Sequence, residues 1–376
     1  MQYSIEDLVR LAKRDNNSIR PYLYVNPLQG KHIPVEPTKT IEMCKTLARK
    51  VNSAYPNDAL FVIGFAETAT GIASVISRYL NNIKIYQNTT REYTEGERYL
   101  YFTESHSHAR DQMLRTSNLG SCLNEIKRIL FIDDEVTTGS TICKLIDVIK
   151  EEYDVPDLRY SIVSILNSMT SERLQELNSK GIDCLFLESI PYEYKKDRIL
   201  DIPMKNELHQ VVMGEALPDV EEICFRSIAN PRTAIRYSDY QEANLRFADM
   251  IKSRLHDGHY NSILIMGTEE FMYPTICVGE LIQESGITNN VKVHSTTRSP
   301  IIASDQYDYP LKKRYQLRSF YDKDRITYIY NLDAYDMVLI LTDALEFASG
   351  LSDLHAALKG LGNENILLGR FVYEEV

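Results

Sequence analysis

The sequence predicts an α/β protein with largely parallel sheets, wound on both faces by helices. Three observations carry this. Short apolar runs recur with the length and composition of buried parallel strands, at residues 59–64, 83–86, 129–132 and 160–166. Stretches of helical spacing stand between them. A second set of the same signals returns, in the same order, in the carboxyl-terminal half.

Taken in order, Ser4 with Glu6 and Asp7 predicts a capped helix over residues 4–14. Residues 38–54 place Ile41, Cys44, Leu47, Ala48 and Val51 on one helical face. A strand over 59–64, a helix over 71–80 and a strand over 83–86 follow. The apolar run at 129–132 leads to a turn and a helix over 142–150, then a strand at 160–166 and a helix at 171–179. Residues 191–222, rich in Pro, Lys, Asp and Glu, suggest a connection or a small accessory hood closing a first domain of residues 1–222. The second domain, 223–376, echoes the first. Gly64 and Glu67 recur as Gly267 and Glu270, Thr89-Thr90-Arg91 as Thr296-Thr297-Arg298, and Asp134 as Asp343, which points to duplication.

At 376 residues, two domains are the natural expectation, and 44% hydrophobic with 25% charged residues fits a packed globular protein. No apolar run approaches the roughly 18 residues of a membrane span, and the start reads as no signal peptide. The six cysteines lack paired spacing and read as reduced thiols, consistent with a cytoplasmic location. A net charge of −11 argues against a nucleic-acid partner held through phosphates.

The stretch from Ile129 to Ile142 carries most of the chemistry. Asp133 and Asp134 stand at the expected end of a strand, where parallel sheets bind ligands. Adjacent carboxylates suit a vicinal diol. The turn Thr137-Thr138-Gly139-Ser140-Thr141 opens the next helix, whose amide groups and dipole suit a phosphate. Diol and phosphate together describe ribose 5-phosphate. A receiver-type acidic pocket and a ligand-free turn are the alternatives. The stretch resembles the phosphoribosyl-pyrophosphate (PRPP) signature of type I phosphoribosyltransferases. That resemblance implies two Rossmann-like phosphoribosyltransferase domains in tandem. Asp133, Asp134 and Glu135 would lie at the ribose and Thr137, Thr138, Gly139, Ser140 and Thr141 at its 5-phosphate, with Mg²⁺ near Asp133 and Asp134. In the second half Thr342 and Glu346 replace an acid and part of the phosphate loop, so that copy is expected to be degenerate, Glu346 opposing a phosphate.

Other residues should line the same cleft. By the same resemblance, the loop of Ala66, Glu67 and Thr68 would hold pyrophosphate through backbone amides; Glu67 could equally cap the next helix. Arg91 could grip a phosphate bidentately or form a surface ion pair. Residues 92–114 are long for a connection and sit where such transferases carry a closing loop. There His106, His108 and Arg110 would supply donors, a zinc pair being the poorer reading. Lys31 and His32 could meet the acceptor or merely flank a turn beside Gly30. The Gly30-Lys31-His32-Ile33-Pro34 and Thr297-Arg298-Ser299-Pro300 segments are similar to those of the bacterial phosphoribosyltransferase–TRSP proteins of tellurium resistance clusters. The resemblance implies PRPP, Mg²⁺ and a base-like acceptor as ligands, and is compatible with a homodimer. A PRPP- or nucleotide-sensing regulator on the same fold is the alternative. A PRPP synthetase fits poorly, because its signature would lie in the second copy.

Overall fold

The computed structural model describes residues 2–15, 17, 20–102, 112–191, 197, 199, 201–255 and 258–374. In chain order its elements begin α1 (Ile5–Leu8), β1 (Arg10–Lys13), β2 (Tyr22–Val25), α2 (Pro37–Ala54), β3 (Leu60–Gly64), α3 (Ala69–Arg78) and β4 (Ile83–Asn88). Next come β5 (Tyr99–Tyr101), β6 (Met113–Arg115), α4 (Leu119–Leu123), β7 (Arg128–Val136), α5 (Ser140–Glu152), β8 (Arg159–Asn167), α6 (Ser171–Ser179) and β9 (Ile182–Ser189). The remainder are β10 (His209–Val211), β11 (Glu221–Ser227), β12 (Ile235–Arg236), α7 (Tyr237–Leu255), β13 (Ile263–Gly267), α8 (Tyr273–Glu284) and β14 (Val291–Ser295). The series closes with β15 (Arg314–Arg318), β16 (Ile326–Tyr330), β17 (Met337–Thr342), α9 (Ala348–Lys359) and β18 (Ile366–Tyr373).

These elements form two units. The first gathers residues 1–5, 41–194 and 229–243; the second gathers 6–40, 195–228 and 244–376. The boundary expected at 222/223 is therefore not where the chain divides. Residues 6–40 and 195–228 belong to the second unit, and the chain passes between units inside α2 and α7.

In the first unit the sheet order is β12-β4-β3-β7-β8-β9, parallel throughout except for β12 against β4. Every residue of β3 is buried. Burying each of its large side chains contributes about 1.5–3 kcal/mol, which is why this run reads as continuously apolar. Gly64 ends β3 because a Cβ there would lie 2.7 Å from both the Ala73 Cβ and the Asn88 Oδ1. A short antiparallel hairpin, β5–β6, stands beside the sheet.

The second unit has the order β11-β18-β17-β13-β14, all parallel. Its run β14-β13-β17-β18 repeats β4-β3-β7-β8 strand for strand. The hairpin β15–β16 follows β14 just as β5–β6 follows β4. Hydrogen bonds repeat too. Thr89 N donates to Gly64 O at 2.9 Å and Thr296 N to Gly267 O at 3.0 Å. Thr90 N donates to Met113 O at 2.9 Å and Thr297 N to Tyr328 O at 2.8 Å. The duplication read in the sequence is present in the fold. One face of this sheet packs Met266, Ile340, Leu351 and Leu354 with Tyr315 and Phe320.

Three local expectations differ. The helix expected over 4–14 is only α1, after which β1 pairs antiparallel with β2. The strand expected to stop near Ile132 runs on to Val136, because β8 continues beside it. The hood expected in 191–222 instead supplies β10, which pairs parallel with β15 of the second unit.

Candidate active site

At the switch point of the first unit, β3 and β7 part. Gly64 pairs with Ile132, and β3 goes no further, whereas Asp133, Glu135 and Val136 pair onward with Ser164, Leu166 and Asn167 of β8. The edge of β7 from Asp133 on therefore faces the crevice where open parallel sheets take ligands. Successive strand residues point to opposite faces, yet the Asp134 carboxyl lies close enough to act on that of Asp133. The Asp133 carboxylate also accepts from the Asp134 amide at 3.0 Å. Burial, and then repulsion from Asp134, hold the Asp133 carboxyl well above the usual carboxylate range.

The turn after β7 leads straight into a helix. Gly139 has φ +66° and precedes the 13-residue α5, whose first amide, Ser140 N, donates to Thr138 Oγ1 at 3.3 Å; the helical ladder starts with Cys143 N to Gly139 O at 3.0 Å, so the amides of Thr141 and Ile142 stand outside it. Thr138 Oγ1 and Ser140 Oγ lie 2.9 Å apart. Arg173, on α6, donates from Nε to Thr138 O at 2.8 Å and so fixes the outer wall of the turn. No motif marks that residue, since it lies one helix further along.

Across the crevice, the loop after β3 is held from below. Ala66 N donates to Thr89 Oγ1 at 2.8 Å, and Gln112 Nε2 donates to Ala66 O at 2.9 Å. Glu67 is buried, and its carbonyl accepts from Thr70 Oγ1 at 3.1 Å. Thr68 precedes α3 without a side-chain cap of its own. Arg91 is half-buried just beyond Thr89 and Thr90. Glu135 lies on β7 with Ser168 Oγ donating to it at 3.5 Å. Thus Asp133, Asp134 and Glu135 on β7, the 137–141 turn after it, and Ala66 to Thr68 after β3 all lie at the carboxyl ends of two adjacent strands. His106, His108 and Arg110 fall outside the described residues.

Lys31 and His32 depart from expectation: both belong to the second unit. The Lys31 ammonium is fully buried and donates to Glu269 O at 2.6 Å and Thr296 O at 2.9 Å, with Ser295 Oγ at 3.5 Å. Its donors are committed to the protein's own oxygens, so it braces a loop and is not placed to meet an acceptor. His32 is buried as well.

Among the described residues, no group of three or more His, Cys, Asp and Glu side chains is arranged to hold a metal ion. None of the described helices is long and apolar enough to cross a membrane.

The fold is a pair of α/β units on parallel sheets, the second repeating the strand order of the first. Residues 8–184 match the family described as phosphoribosyl transferase, and residues 233–358 match the TRSP domain described as C-terminal to it. The chain belongs to this two-part phosphoribosyl transferase–TRSP family. Similar solved structures include the APRTase of Giardia lamblia with 9-deazaadenine, at 10% identity over 49% of this chain and 98% of that one, TM-score 0.35. Another is the adenine phosphoribosyl transferase of Trypanosoma brucei, at 13% identity over 54% and 83%, TM-score 0.36. A third is a hypoxanthine-guanine phosphoribosyltransferase of Bacillus anthracis, at 15% identity over 42% and 80%, TM-score 0.25. No curated protein matches the chain.

Proposed function

We propose that the first unit is a PRPP-dependent phosphoribosyltransferase, moving ribose 5-phosphate onto a nitrogenous acceptor and releasing pyrophosphate. One observation carries the reading: a helix entrance led by Gly139 follows adjacent half-buried carboxylates at the carboxyl end of β7. The amides of the 137–141 turn would hold the 5-phosphate, and Asp133 and Asp134 the two ribose hydroxyls. The loop of Ala66, Glu67 and Thr68, with Arg91, would take the pyrophosphate, joined by His106, His108 and Arg110.

The reaction needs no protein nucleophile. The acceptor nitrogen forms a bond to C1 of the ribose while the bond from C1 to pyrophosphate breaks, and the electron pair leaves on the pyrophosphate oxygen. Positive charge grows at the ribose and negative charge on the leaving oxygens. The residues act by positioning and by aiming donors at those oxygens. Asp133 and Asp134 fit Mg²⁺, because they offer hard oxygen ligands whose mutual repulsion a cation relieves. With only two carboxylates there, the ion would share its coordination with substrate phosphates. When bound, Mg²⁺ would neutralise charge on the departing pyrophosphate.

The test is turnover with PRPP, Mg²⁺ and a panel of nitrogenous bases, read as pyrophosphate release. Release dependent on one base class supports the transferase. Tight PRPP binding without release for any base would favour the sensing alternative.

A further inference from the structure

In the second unit, the loop equivalent to Ala66–Thr68 is Glu269 and its neighbours, held by the same bond: Glu269 N donates to Thr296 Oγ1 at 3.0 Å. The Glu269 backbone takes φ +47°, which turns its side chain inward, and the residue is fully buried. Arg325 Nη1 donates to its carboxylate at 2.9 Å, and Arg298 Nε and Ser319 Oγ donate to it too. Ser319 and Arg325 are on the tip of the β15–β16 hairpin. Arg298 belongs to the Thr-Arg-Ser-Pro segment, and Lys31 braces the loop from beneath through Glu269 O. The two sequence segments that mark the family thus meet at one buried residue, one on its carboxylate and the other on its carbonyl.

We infer that Glu269 is a built-in anion: its carboxylate occupies a phosphate-class seat made by Arg298, Arg325 and Ser319, and pins the hairpin tip over it. A buried carboxylate persists only when paired, and here two guanidiniums converge on a single negative charge. Such a seat suits a doubly charged anion better than the one it holds, because guanidinium forks match phosphate oxygens. Two further carboxylates stand off at longer range, Glu270 at 3.8 Å from Arg298 and Asp322 at 3.7 Å from Arg325. The second unit therefore refuses phosphorylated ligands by carrying its own occupant, independently of the changes at Thr342 and Glu346.

The test uses the full chain and sodium pyrophosphate, counting sites by titration calorimetry. Glu269→Ala is expected to bind one more pyrophosphate than the wild type, at least tenfold tighter than any extra site there, and Glu269→Ala with Arg298→Ala loses it. The wild-type count reports on the first unit, so that reading and this one fail separately. Should Glu269→Ala not fold, Glu269→Gly, which suits φ +47°, empties the same seat and carries the same count. Equal counts in wild type and variant, as when Glu270 or Asp322 closes on the arginines, overturn the inference. So does failure of both variants to refold with pyrophosphate present.

Discussion

Lys31→Met separates a bracing role from an acceptor contact. Methionine roughly conserves the length and volume of the chain but removes the charged donor to the buried carbonyls of Glu269 and Thr296, to which Ser295 Oγ also donates. Two charge-assisted bonds are worth about 1.5–3 kcal/mol each. Against that, the ammonium itself costs several kcal/mol to desolvate. The net expected loss is about 2–4 kcal/mol. For a unit of this size that lowers the melting temperature by roughly 5–12 °C. The assay is thermal and urea unfolding of the full chain, followed by circular dichroism, with PRPP turnover measured alongside. Undiminished stability together with a turnover defect would refute the bracing argument and return Lys31 to the acceptor.

Buried His294 offers a pH test. Desolvation lowers its pKa from 6.5 to about 4, its Nε2 lying 2.7 Å from Tyr330 O. Its contribution to stability is present above pH 6.5 and lost as pH falls through about 4; the loss amounts to about 3 kcal/mol. His294→Asn should flatten that slope in pH-dependent melts, and an unchanged slope would argue against it. Asp133, raised by burial and by Asp134, should behave oppositely in the free protein, contributing stability at low pH that fades as pH rises through its raised pKa. PRPP should then bind more tightly as pH rises, with proton release seen by calorimetry in buffers of different ionisation enthalpy; a flat affinity would exclude Asp133 from the ribose. Arg128 ties the start of β7 to Asp58 and Asp183 at 2.7 Å each, with its guanidinium 3.8 Å over the Tyr55 ring. Because both acids retain solvent access, Arg128→Met should cost about 2 kcal/mol, below the 3–5 of a fully buried pair; urea midpoints measure it.

Much of this was legible in the sequence because the deciding forces are local. Runs such as 60–63 and 129–132 are buried on both faces, so their composition announces central strands. Gly139 and its neighbours announce a turn, because a residue at φ +66° is most readily glycine. The duplication was visible because Gly64 and Gly267 answer the same need for close approach: a Cβ on Gly267 would sit 2.2 Å from Phe271 O. What escaped depends on partners distant in sequence. Ser4, Glu6 and Asp7 begin a helix, but pairing of Leu11 with Tyr24 turns the chain into a strand. Residues 6–40 join the second unit through contacts such as Val35 with Val293, which no local pattern announces. Lys31 resembled a ligand-seeking side chain, and only the fold shows three protein oxygens around it. Arg173 and Gln112 gave no signal, since each acts on a backbone carbonyl and carries no motif.

The central claim is that Asp133 and Asp134 hold the ribose of PRPP. Calorimetric titration of PRPP with Mg²⁺ into the wild type and into Asp133→Asn with Asp134→Asn tests it most directly, with circular dichroism confirming the fold. The account predicts saturable binding in the wild type and at least a hundredfold loss in the double variant, about 2.7 kcal/mol. Equal affinity in a folded double variant would contradict it.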